Sequence, residues 1–180
     1  GSAYFDVHCL ASIGDILITS TNTGFFRSID YGEHWTASNI GYLSNIYNTI
    51  LVADSQLYAI AKFDYGGVYK STDKGEHWTQ VNWEMIGLTI QSLAYIKNTL
   101  YAGTKGGGVF RSINSGRNWS SVNAGLPYQY ISYLVAKGDT LFAVTGNIGM
   151  FRSIDHGESW SEVNIGVICF RINSLAVNGS

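Results

Sequence analysis

Charge is scarce in this sequence, and the scarcity excludes several functions. Only 13% of the 180 residues are Asp, Glu, Lys or Arg, about half the ~25% of ordinary soluble domains. The 11 basic residues are scattered and the net charge is −2. Nucleic acid, which needs clustered Lys and Arg against its phosphates, is therefore not an expected partner. No apolar run approaches the ~20 residues that span a bilayer, and no basic amphipathic helix is visible, so membrane insertion is not expected. The opening GSAYFDVH lacks the basic-then-apolar pattern of a signal peptide. Gly-Ser at both ends reads as trimming, so the start says little about a native leader. Cysteine is nearly absent: Cys9 and Cys169 are too few and too far apart for a disulfide scaffold. They read as two small buried apolar residues, with a contact joining the chain ends as the sharper alternative.

Helical periodicity is missing as well. No window sustains apolar residues at i, i+3, i+4 and i+7, so the chain is expected to be all-β. What is present suits sheets: 46% apolar residues and 14% aromatics, with abundant Tyr, Trp, Thr and Ile. One octapeptide recurs four times: SIDYGEHW from Ser28, STDKGEHW from Ser71, SINSGRNW from Ser112 and SIDHGESW from Ser153. The steps are 43, 41 and 41 residues. A near-fixed period of this size marks a repeat architecture.

Each unit holds four short β-rich segments separated by turn residues. In the third they are IQSLAYI, TLYAGT, VFRS and NWSSVN. The first segment is apolar on both faces, as a strand near a crowded axis would be, and later segments alternate. Four antiparallel strands per ~42 residues form a blade of a β-propeller. Residues 1–180 are read as one propeller or half-propeller domain, with blades near 6–40, 46–83, 89–123 and 130–164. RINSLAV at 171–177 reads as the first strand of a further repeat. Three arrangements follow: a four-bladed ring, two chains completing a homo-oligomeric ring of about eight blades, or a piece of a longer parent.

The octapeptide reads as a turn between the third and fourth strands. Asp30, Asp73 and Asp155, with Asn114 in the third copy, can accept backbone N–H groups of the turn they begin. Gly32, Gly75, Gly116 and Gly157 can supply positive φ. Ser28, Ser71, Ser112 and Ser153 can tie the turn through their hydroxyls. Trp35, Trp78, Trp119 and Trp160 can plug apolar surface, each stabilising by roughly 1.5–3 kcal/mol. The pattern Ser-x-Asp-x-Gly-x-x-Trp resembles the Asp box of bacterial neuraminidase-like (BNR) repeats over essentially the whole chain. That family includes sialidases, other glycoside hydrolases, sortilin-type receptors and photosystem II assembly-factor-like proteins. The resemblance implies a propeller whose boxes lie at the blade periphery, away from any ligand, and it favours an exported or cell-surface location.

The resemblance does not extend to sialidase chemistry. Arg27, Arg111 and Arg152 recur at one blade position, with Lys70 in the second copy, and so belong to the blade rather than to a converging carboxylate clamp. FRIN at 170–173 lacks the proline of the sialidase motif and follows the boxes. A glycosidase needs two facing carboxylates, and only Asp64 and Glu84 lie in loops where a substrate would be met. His8, His34, His77 and His156 are spread around the blades rather than converging, so neither metal nor cofactor is expected. The loops joining strands two and three, and each blade to the next, differ most between copies. They carry Tyr42, Tyr65, Trp83 and Tyr128, aromatics of the kind used to anchor a protein or stack on a sugar. The expected function is a non-catalytic scaffold or binding module for a protein or glycan, using Tyr42, Asp64, Tyr65, Trp83, Glu84 and Tyr128; the alternative is a glycoside hydrolase or sialidase-like enzyme, or a fragment of one.

Overall fold

A computed structural model describes residues 6–38, 47–61, 67–81, 85, 87–146 and 148–163. The chain divides into two compact units, Gly1–Ile86 and Gly87–Ser180. In the first unit, β1 (Val7–Ile13), β2 (Ile16–Thr21), β3 (Gly24–Ser28) and β4 (Thr36–Ala37) form one sheet. Beside it, β5 (Tyr47–Ala53), β6 (Gln56–Ala61), β7 (Val68–Ser71) and β8 (Thr79–Gln80) form another. The second unit repeats the plan with β9 (Thr89–Ile96), β10 (Thr99–Lys105), β11 (Val109–Ser112) and β12 (Ser120–Ser121). Its second sheet is β13 (Ile131–Lys137), β14 (Thr140–Thr145), β15 (Gly149–Ser153) and β16 (Ser161–Glu162). Each sheet is an antiparallel meander in chain order, which is the form of a propeller blade. We call them blades 1 to 4.

The fourth strands are only two residues long. The octapeptide turn occupies the residues before them, and its tryptophan leaves the ladder to pack sideways. The first strands carry a different irregularity. Their pairing slips by one residue between Val7 and Cys9, Tyr47 and Thr49, Ile90 and Ser92, and Ile131 and Tyr133. A bulge at the same position in every blade places two residues against one on the partner strand. It resets the two-residue alternation, so that Ile90 and Leu93, three apart, are both buried. This is why the first segments read as apolar on both faces.

Each unit has its core between its two blades. In the first, Ile13, Ile18 and Phe25 of blade 1 meet Ala59, Tyr69 and Trp78 of blade 2. Trp78 stacks on Phe25 at 4.4 Å between ring centroids and 15° between planes. In the second, Tyr101, Val109 and Val122 of blade 3 meet Leu134, Phe151 and Trp160 of blade 4. The Trp160 indole N–H donates to the Val122 carbonyl (2.8 Å), satisfying the polar end of a buried ring. Between the first strands, the Ser92 hydroxyl donates to the Leu134 carbonyl and accepts its N–H. Cys9 holds the corresponding place in blade 1, with its thiol 2.9 Å from Ser20 Oγ. Burial raises its pKa against opposing hydrogen bonds from Ser20 and the Ile50 backbone. Cys169 and residues 171–177 lie outside the described residues.

Candidate functional site

The four octapeptides fold into one hydrogen-bonded turn. The serine hydroxyl accepts the glycine N–H at 2.8 Å in every copy: Gly32 to Ser28, Gly75 to Ser71, Gly116 to Ser112 and Gly157 to Ser153. Each hydroxyl donates in turn to Oδ1 of Asp30, Asp73, Asn114 or Asp155. That oxygen also accepts the backbone N–H of His34, His77, Asn118 or Ser159 (2.9–3.0 Å). The glycines have φ between +84° and +94°, and the residues before them, Tyr31, Lys74, Ser115 and His156, have φ of +56° to +60°. Two successive left-handed residues are costly for a non-glycine, and the buried serine hydroxyl holds them in place.

The second carboxylate oxygen meets the side chain four residues on: Nδ1 of His34 (2.7 Å), Nδ1 of His77 (2.6 Å) or the hydroxyl of Ser159. In the third copy Asn114 Nδ2 donates to Asn118 Oδ1 instead. These bonds bring the carboxyl pKa to about 2. At Asp155 the Ser159 hydroxyl is the main cause, and at Asp30 it is the His34 N–H. At Asp73 desolvation is the largest single influence and opposes the shift, but the His77 and Ser71 bonds together outweigh it. A depressed carboxyl pKa contributes stability that is fully present above the ordinary 3.8 and is lost as pH falls toward about 2. Asp155→Asn is expected to form the same turn at pH 7, as Asn114 does without charge, but to lack the charge-dependent share of the stability. Comparing denaturation midpoints at pH 7 and pH 2.5 should show less acid destabilisation in the variant than in the parent.

The repeated arginine meets the next blade. Arg111 Nη1 lies 2.6 Å from Glu158 Oε1 and also donates to the His156 carbonyl, while Arg27 and Glu76 are 4.0 Å apart. These exposed pairs contribute little, ~1 kcal/mol at most. A polar cavity of about 370 Å³ opens beside Arg27, Ser38, Glu76 and His77. Arg27 Nε and Ser38 Oγ have no hydrogen-bond partner there.

Among the described residues, the most organised loop surface is in the second unit, where three connections meet. The turn after β10 is Gly106-Gly107-Gly108, and the N–H groups of Gly106 and Gly108 both donate to the Gln129 carbonyl (2.9 Å). Asn123 clamps this turn from the blade linker. Its Oδ1 accepts the Val109 N–H (2.7 Å) and its Nδ2 donates to the Gly107 carbonyl (3.0 Å). A Cβ at Gly108 would stand 2.2 Å from Asn123 Oδ1, so no larger residue fits without displacing the clamp. Tyr130 pairs with Lys105 in an isolated antiparallel bridge, and its carbonyl accepts the Gly146 N–H from the loop after β14.

On this frame stand Tyr128 and Tyr130, 53% and 40% exposed, with the Lys105 ammonium 6.0 Å from the Tyr130 ring centre. Ile148, also exposed, follows on the β14–β15 loop. Two tyrosines and a cation on a pinned backbone can stack on a sugar ring or grip a peptide side chain at low entropic cost. Of the binding residues expected from sequence, Tyr128 lies here, while Tyr42, Asp64, Tyr65, Trp83 and Glu84 lie outside the described residues. Sequence reading missed Lys105 and Tyr130. Tyr130 ends the loop NAGLPYQY, but the apolar run after it makes it look like the start of a strand.

The chain belongs to the DUF6242 beta propeller domain family, whose profile matches residues 14–140. No curated protein matches the chain. Among solved structures it is similar to the extracellular domain of BT4673 from B. thetaiotaomicron, with a TM-score of 0.70 and 18% identity over 99% of this chain and 23% of that one. It is similar to an ancestral GH74 enzyme (TM-score 0.69, 18% identity, 87% of this chain, 24% of that). It is also similar to YCF48 bound to D1 peptide (TM-score 0.64, 16% identity, 88% and 52%). The chain thus spans about a quarter to a half of the length of these proteins. At such identities the likeness is one of fold, an all-β propeller built of four-stranded blades.

Proposed function

We propose that this DUF6242-family chain is a non-catalytic binding or scaffold module that takes a protein or glycan on its loop face. The observation that carries this reading is the exposed pair Tyr128 and Tyr130 on loops pinned by backbone hydrogen bonds. In this reading Tyr42, Asp64, Tyr65, Trp83 and Glu84 are further binding residues of the blade loops, and the octapeptides are Asp-box turns that hold the blades without touching the ligand. The turn aspartates support that division, because their oxygens are engaged by the turn itself. Two similar folds have settings of their own: one is bound to D1 peptide and the other is an ancestral GH74 enzyme. An exported or cell-surface setting agrees with the extracellular domain among the similar folds.

The test is a screen of immobilised glycans and peptides, followed by Tyr128→Ala on any hit. Loss of a central aromatic anchor is expected to weaken binding by ~10-fold or more, about 1.4 kcal/mol or above. Unchanged affinity in Tyr128→Ala and Tyr130→Ala would place the ligand elsewhere and sink the assignment. The enzymatic alternative has its own readout. Turnover of a fluorogenic glycoside that disappears in Asp64→Asn or Glu84→Gln would replace the binding-module reading.

A further inference from the structure

Among the described residues, three buried side-chain atoms have no hydrogen-bond partner: Arg27 Nε, Ser38 Oγ and Trp78 Nε1. All three belong to the junction of blades 1 and 2, where Arg27 and Ser38 line the polar cavity of about 370 Å³. Folded chains pair nearly all such groups, because a buried donor without an acceptor forfeits its hydration for nothing. Two of the three atoms can only donate, and the third is a hydroxyl that can donate too.

The second unit shows how the same place is closed. There Arg111 holds Glu158 at 2.6 Å and donates to the His156 carbonyl, and the Trp160 indole donates to the Val122 carbonyl. Val122 is buried against Gly157, where an added Cβ would stand 3.1 Å from its Cγ2. Ser38 occupies the position of Val122. It lies three residues after the motif tryptophan, and its N–H bonds back to the third strand as those of Val81, Val122 and Val163 do. Ala37 beside it stands where the other copies have Gln80, Ser121 and Glu162. A hydroxymethyl group in place of an isopropyl group opens space and makes it polar. Glu76, 4.0 Å from Arg27, leaves the Arg27 Nε–H unmet.

The cavity far exceeds one water, whose share of liquid volume is ~30 Å³, and reaches the lower range of small-molecule sites. Its lining selects a ligand. The Arg27 guanidinium and the Ser38 hydroxyl offer donors suited to a carboxylate. Glu76 and His77 ask for the reverse. The Glu76 carboxylate can only accept, and Asp73 Oδ2 takes His77 Nδ1 at 2.6 Å, which leaves Nε2 as the acceptor of the neutral ring. A second carboxylate would meet the charge of Glu76, and Ala37 is the one apolar lining residue, so an apolar tail has no seat. We infer that this cavity binds a small hydroxylated monocarboxylate of the sugar-acid class. Its carboxylate would sit on Arg27 and Ser38, and its hydroxyls would donate to Glu76 and His77. The site belongs to the first unit and Tyr128 and Tyr130 to the second, so different variants test this inference and the loop-face reading.

Titration calorimetry of the whole chain with glucuronate and gluconate is the test, with glucose, acetate and free alanine as comparisons. A sugar acid is expected to saturate the chain and to bind at least ~10-fold more tightly than any of the three, which lack the charge, lack the hydroxyls or add an ammonium. Ser38→Val restores the residue of the other copies. It is expected to fold with a thermal midpoint no lower than the parent's and to bind the sugar acid ~10-fold or more weakly. Arg27→Gln is expected to show the same loss of binding, and Tyr128→Ala none. Absence of saturation by either sugar acid at millimolar concentration would overturn the inference. Binding that survives Ser38→Val, that falls in Tyr128→Ala, or that glucose, acetate or alanine matches would overturn it as well.

Discussion

Trp160→Ala is expected to destabilise the second unit by about 3–5 kcal/mol, the range for emptying a buried aromatic site. The ring lies in the core between blades 3 and 4, and its N–H donates to the Val122 carbonyl. Removal therefore leaves a cavity and a buried acceptor without its donor. Trp35→Ala, at the same position of the same motif, is expected to cost less than about 1 kcal/mol, because that ring is partly in water. Urea denaturation at constant slope reads both values. Equal losses at the two sites would mean that the turn, and not the neighbouring blade, sets the worth of the indole.

Gly125→Ala should be nearly as severe, at roughly 2–4 kcal/mol, for a reason of backbone rather than burial. Gly125 sits at φ +89°, and a Cβ there would lie 2.2 Å from the Trp160 carbonyl oxygen. The adjacent Ala124 carbonyl accepts the Trp160 N–H at 2.9 Å, so the linker cannot retreat without breaking that bond. Gly138→Ala is the control. Its φ is +55° with open space around the Cβ position, so only left-handed strain remains, about 1 kcal/mol. Gly125 also leads into Tyr128, so Gly125→Ala should weaken loop-face binding even where the chain stays folded. Thermal midpoints for the three proteins, with binding measured below them, separate the two effects.

The blades were legible because their signals are local. A tryptophan seven residues after the start of each SxDxGxxW or SxNxGxxW, and a 41–43-residue step between copies, need no tertiary information to be read. Turn chemistry is decided within a few bonds, and strand alternation within a single ladder. The bulge opposite Thr21, Ala61, Thr104 and Thr145 was not legible, because it shows only as an apolar spacing of three in strands that otherwise alternate. The left-handed residues before each motif glycine were equally hidden. Tyr31, Lys74, Ser115 and His156 share no side-chain property that announces positive φ.

The candidate site was legible in one residue. Tyr128 stood out as an aromatic in a variable loop, but Lys105 and Tyr130 are 25 positions apart and are brought together by backbone bonds from the glycine turn to the linker. By itself, the amino-acid sequence determined the class, the period and the turn, because each depends on contacts between near neighbours in the chain. Tertiary structure decided which tryptophans are buried and which loops meet. Those depend on what one sheet lays against another, and four nearly identical motifs cannot encode that difference.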